Sequence, residues 1–272
     1  MPALIRLCLL LLAGATTLSA EPAPLSIEGE IVPALSGIEQ ATLDTYRHAR
    51  ITHITFHHEG FAGTDADLFA RASAARARQS IAQRVRNIHH DHAHNAGLGM
   101  IAYHYAVDPA GQIAKGRPVR YKPATRSTLR GSSRRADFDG HFAVVALGDF
   151  NHQHLTEAAR ASYVRVMSEA QRAYRVPTAN ILPHLHHAQT SCPGTHIMDE
   201  IDSLLRRVTT RSLQAELVAR GCGTPALSGT WDAPSAAAFE RLVAAHGAML
   251  ASHAPGDAVL QQMLHDPALA CD

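Results

Sequence analysis

The chain has 272 residues, with 25 Lys and Arg against 24 Asp and Glu, a net charge of +1, and 19 histidines. That length suits one medium domain plus a small one. The neutral balance lacks the basic excess that nucleic-acid binding requires, so no nucleic-acid partner is expected.

Residues 1–6 carry one positive side chain, 7–15 are apolar, and Thr16-Thr17-Leu18-Ser19-Ala20 ends in small residues before Glu21. This pattern predicts a secretory signal over 1–20, because the apolar run is too short to span a bilayer. Nothing later in the chain is long and apolar enough to cross a membrane. The protein is therefore expected to be exported, periplasmic or secreted. Residues 21–44 read as a proline-bearing arm.

Residues 51–58, Ile-Thr-His-Ile-Thr-Phe-His-His, are rich in β-formers and predict a buried strand carrying His57. Thr64 with Asp67 resembles a capping box that opens a helix. Alanine and arginine then dominate over 68–86, predicting one long helix or two short ones. The His-rich tract 89–94 reads as a polar helix end. Residues 100–107 and 112–115, separated by Asp108-Pro109-Ala110-Gly111, predict a hairpin. Eight basic residues and no acid fall over 115–135, which reads as an exposed loop.

The continuously apolar 142–147 predicts a central strand covered on both faces. Thr156 is a helix cap, and Ala159, Tyr163, Val166, Met167, Ala170 and Tyr174 form one apolar face. Asn180-Ile181-Leu182-Pro183 predicts a short strand leading into His184, and Cys192-Pro193-Gly194 a turn. Strands alternating with helices give an α/β domain over 45–208. A junction at Thr209-Thr210 then leads to a helical unit over 209–272.

His57, His184 and Cys192 are the candidate metal ligands. Two imidazoles and a thiolate supply three legs of a tetrahedron and leave a fourth position for chemistry, the arrangement of a catalytic zinc site. With Cys8 lost in the signal and Cys192 assigned to the metal, Cys222 and Cys271 remain to pair in an oxidising compartment. The alternative bonds Cys192 to one of them.

These motifs, in order, carry a resemblance. Phe56-His57-His58, Ile101-Ala102-Tyr103-His104-Tyr105 running into Asp108-Pro109-Ala110-Gly111, Gly116-Arg117, Val144 through Phe150, and His184 through Cys192-Pro193-Gly194 resemble the type 2 N-acetylmuramoyl-L-alanine amidases and peptidoglycan recognition proteins over roughly 45–205. The resemblance implies a central mixed β-sheet flanked by helices. It also implies Zn2+ on His57, His184 and Cys192, with Tyr103 at the reacting centre and Thr190 holding water or the oxyanion. Binding-only relatives typically lack the cysteine, so Cys192 favours catalysis. His92 falls where the family often carries a histidine facing the groove.

The sequence departs from the family at Gly97-Leu98 and Met100-Ile101-Ala102, and its segment from His58 to Tyr103 is long, which affects the groove rather than the metal site. Over 213–239 the chain resembles, more faintly, a small helical peptidoglycan-binding domain. The function implied is zinc-dependent hydrolysis of the amide between N-acetylmuramic acid and L-alanine, with peptidoglycan or muropeptides as partner. The rivals are a non-catalytic peptidoglycan-binding protein of the same fold and a His-rich periplasmic zinc-binding protein. His58 lies on the opposite face of the strand from His57 and is expected to pack. His186 and His187 are either second-layer supports or exposed; the sequence does not identify the proton source for the leaving amine, for which Glu59, His58 and His187 are candidates by proximity in sequence alone.

Overall fold

The computed structural model describes residues 21–35, 43, 47–125 and 139–271. The expected signal over 1–20 lies outside the described residues, as does the second half of the basic run, from 126 to 135.

A five-stranded sheet organises the chain: β1 (His53–His58), β2 (Tyr105–Val107), β3 (Ile113–Lys115), β4 (His141–Ala146) and β5 (Ile181–Pro183). The spatial order is β3-β2-β4-β1-β5. β2, β4, β1 and β5 run parallel, and β3 returns antiparallel to β2 through the 108–111 turn. The sheet is thus mixed, and β4, continuously buried, sits at its centre.

Helices cover both faces. Ile54, Phe56, Tyr105, Phe142 and Val144 pack against Tyr163, Val166, Met167 and Ala170 of α3 (Glu157–Tyr174) and against Leu204 and Val208 of α5 (Ile201–Ala219). On the other face, Ala106, Ala114 and Val145 meet Ile81 and Val85 of α2 (Ile81–His90). Thr156 caps α3, accepting from the Ala159 amide. The arm is part of the body: Leu25 and Ile27 are buried in the main core, and Ile31 bridges Ala114.

Three expectations are corrected, and one open alternative is decided. The helix after Gly63 is capped by Asp65, not Thr64: the Asp65 carboxylate accepts from the Leu68 amide, so α1 spans Ala66–Arg76. A second cap, Ser80, starts α2, so the Ala/Arg-rich stretch is two helices.

The described start of the basic run, 115–125, is not an exposed loop. Lys115 ends β3, and Arg117 is fully buried. Its guanidinium donates to the carbonyls of Ile101, Lys122, Leu98 and Met100, which satisfies the charge inside the fold.

Nor is there a break at Thr209-Thr210, where α5 runs through unbroken. Thr209 Oγ1 hydrogen-bonds the Leu205 carbonyl and the Thr178 hydroxyl, so its polar group is satisfied within the helix. The C-terminal half of α5 then forms a small core with α6 (Ala233–His246) and α7 (Asp257–His265), through Leu213, Leu217, Phe239, Leu242, Val259 and Met263. α4 (Thr195–Asp199) is a single turn between the Cys192 loop and α5. Cys222 and Cys271 form the expected disulfide, and Cys192 is a free, buried cysteine. Among the described residues, no helix is long and apolar enough to cross a membrane.

Candidate metal centre

β1 alternates, so His53, Thr55 and His57 face one side and Ile54, Phe56 and His58 the other. The parallel register pairs Phe56 with Pro183, which brings the next residues, His57 and His184, side by side at the strand ends. Their ring centroids are 4.5 Å apart. The Cys192 loop is tied to the same place, since the Leu185 amide donates to the Cys192 carbonyl at 2.9 Å. Gly194 (φ +96°) closes the turn, and a Cβ there would meet the Phe150 backbone at 2.6 Å. Only glycine fits so close an approach.

One donor atom each from His57, His184 and Cys192 lies within 4.8 Å of the others. Cys192 Sγ is 3.6 Å from His57 Nδ1. Zn–S and Zn–N bonds of about 2.3 and 2.05 Å at a tetrahedral angle imply an S···N separation of about 3.5 Å. The donor pair therefore already has the spacing that zinc demands, and the mixed imidazole–thiolate set suits that ion.

Burial pushes the Cys192 thiol up to about 12, partly offset by the hydrogen bond from the His58 amide at 3.4 Å. His57 is held well below its usual range by burial and then by the neighbouring His184, so it is neutral and able to ligate. The Tyr163 hydroxyl donates to the His57 carbonyl at 2.8 Å and fixes the strand from behind.

Tyr103 reaches the centre, its ring centroid 5.1 Å from that of His57; burial, reinforced by the nearby Cys192 and Glu59, raises its hydroxyl well above the ordinary range. It is a neutral donor at physiological pH. Thr190 is exposed at the rim, where its Oγ1 accepts from the Cys192 amide at 3.1 Å and shapes the ligand turn. His92 also comes close, 5.8 Å ring to ring from Tyr103, with Nδ1 accepting from the Ala102 amide. The proton of this neutral ring is therefore on Nε2.

His58 does pack: its Nδ1 accepts from the Phe150 amide. His187 is buried against His141, which stacks on His53, whereas His186 is exposed. Glu59 has both carboxylate oxygens engaged, one by Arg76 at 2.7 Å and the other by Arg84.

Sequence reasoning did not assign four residues a part at the site. These are Tyr163, Arg76 with Arg84, and Asp149, whose carboxylate accepts from the Phe61 and Ala62 amides. Only Asp149 lay inside a recognised motif.

No family model matches the sequence, and no curated protein is matched either. Solved structures are. The amidase LysC from Clostridium intestinale is 20% identical over 57% of this chain and 85% of its own, with a TM-score of 0.42. Drosophila PGRP-LB is 16% identical over 64% of this chain and 94% of its own, at 0.45. PGRP-Hd from Alvinella pompejana is 18% identical over 65% and 96%, also at 0.45.

Proposed function

We propose that this chain is an exported zinc hydrolase that cuts the amide between N-acetylmuramic acid and L-alanine in peptidoglycan or its fragments. The observation that carries this reading is the convergence of His57, His184 and Cys192, with sulfur and imidazole nitrogen 3.6 Å apart. Bound there, zinc supplies Lewis acidity and an acidified water at neutral pH. The chain's own residues do the rest. His57 and Cys192 are held rigidly by the β1 backbone and the Gly194 turn. Tyr103, kept protonated, offers its hydroxyl to the oxyanion that develops on the attacked carbonyl. Thr190 sits at the rim as a second donor and orders the Cys192 turn.

The unit over 209–272 is proposed to hold the wall polymer. A cleft of about 560 Å3 beside Trp231, rimmed by Asp202, Arg206, Thr210 and Asp257, supports that role.

The test is digestion of defined muropeptides with mass analysis, alongside metal content. About one zinc per chain is expected, with release of intact stem peptide that stops on chelation. Tyr103→Phe should keep the zinc and slow turnover by about 10²-fold. Stem release that persists after zinc removal would exclude the mechanism. A Tyr103→Phe protein that loses its metal would make the tyrosine structural.

A further inference from the structure

The outer wall of the pocket next to Tyr103 is unusual in how weakly it is fastened. The pocket, about 420 Å3, is lined on the inside by Glu59, Arg84, His92 and Tyr103 and on the outside by Ala75 and Arg76 of α1. α1 has no buried residue along its 11 positions. Its inward face is the half-buried set Phe69, Ala72, Ser73 and Arg76, at three- and four-residue steps. That face has no aliphatic side chain larger than the Ala72 methyl to drive docking. By contrast α2, the next helix, buries Ile81 and Val85.

What holds α1 is a column of planar groups. The Arg76 guanidinium lies 3.9 Å from the Phe61 ring centre, Phe61 stacks on Phe69, and Phe69 stacks on His152. Arg76 Nε also donates to Glu59 Oε1. Stacked rings contribute about 0.5–1.5 kcal/mol a pair, and the interface traps a Ser73 hydroxyl with no hydrogen-bond partner, a loss of similar size. A short helix with so little packing is marginal. Its N-terminal approach is clamped up to Ala62 by Asp149. Beyond the clamp comes Gly63, with φ +56° and nothing near the place a Cβ would take; its tie is the carbonyl, 2.8 Å from Nε2 of the same His152 ring that stacks on Phe69, and the far end leaves through the turn at 77–80.

We propose that α1 is a hinged wall that closes on bound substrate, and that Arg76 is the positioning residue that docks it, through Glu59, against the pocket beside Tyr103. The proposal rests on the muropeptide reading above, since it takes the stem peptide as the occupant. Closure exchanges solvent for substrate along the face that α1 otherwise covers poorly, so occupancy and docking stabilise each other. Arg76 touches no reacting atom.

Hydrogen exchange on the full-length zinc protein tests it, with the released stem tetrapeptide as probe because no scissile bond remains in it. Without probe, amides of 66–76 should exchange at least about tenfold faster than those of 81–90; at saturation, verified by calorimetry, they should slow by a similar factor. Arg76→Gln should raise KM for the full muropeptide about tenfold while kcat changes less than twofold and zinc content stays the same. Exchange over 66–76 as slow as over 81–90 in the free protein overturns the hinge, and so does binding without protection. A kcat that falls with KM unchanged overturns the role of Arg76. Absence of any stem-peptide binding, with no muropeptide cleaved, overturns the functional reading itself.

Discussion

The two faces of β1 are built from alternate residues of one six-residue strand and do opposite work. Ile54 and Phe56 lie in hydrocarbon against α3, whereas His53, Thr55 and His57 face a polar side where His141 and His187 gather. The first face secures the strand, and the second holds His57 beside His184 and Cys192. Neighbouring residues should therefore fail in different ways when altered.

The largest effect is expected on the polar face. Cys192→Ser removes the thiolate leg, so zinc content should fall to near zero and hydrolysis by at least ~10³-fold, while the melting temperature of the metal-free protein stays close to that of the metal-free parent. Metal analysis and calorimetry read both. Phe56→Ala attacks the other face. Its ring is 1% exposed, and its loss should cost about 3–5 kcal/mol of stability in denaturant titration, with zinc per folded chain unchanged. Equal zinc loss in the two variants would erase the contrast between the faces.

The smallest effect is a pH dependence away from the candidate metal centre. His104 is fully buried between Ala143, whose amide its Nδ1 accepts, and Tyr121, whose carbonyl its Nε2 meets at 2.8 Å. Burial, partly offset by the Tyr121 hydrogen bond, lowers its pKa to about 3. The folded state thus binds this proton less readily than the unfolded chain, whose imidazole titrates near about 6.5. The stabilisation is complete above that value and is lost as pH falls toward 3. From pH 6.5 to 5 the loss is at most about 2 kcal/mol. Thermal melts at pH 7.5, 6 and 5 measure it, and a flat profile over that range would remove the claim.

Much of this was legible beforehand because local chemistry and global position agree. β1 and β4 carry runs of β-formers that become the buried strands, and the cap at Thr156 opens its helix as read. The convergence of His57, His184 and Cys192 was foreshadowed because each sits at a strand end or turn. What was hidden depends on partners distant in sequence. Arg117 looked like part of a solvated basic run, yet four backbone carbonyls make its burial tolerable. Thr209 looked like a junction, yet Thr178, 31 positions away, completes its hydrogen bonding. Nothing in the spacing of Arg76, Arg84 and Glu59 announced that they meet.

The uninterrupted α5 has a mechanical consequence. Its 19 residues make a strut about 28 Å long, with one end in the main core and the other stapled near the Cys222–Cys271 bridge. The terminal lobe cannot swivel like a bead on a string, so a load taken at that end is transmitted as torque to the body built on the β-sheet. Dissecting the protein at position 209 would saw this beam in half, whereas a cut after Arg220 would spare it.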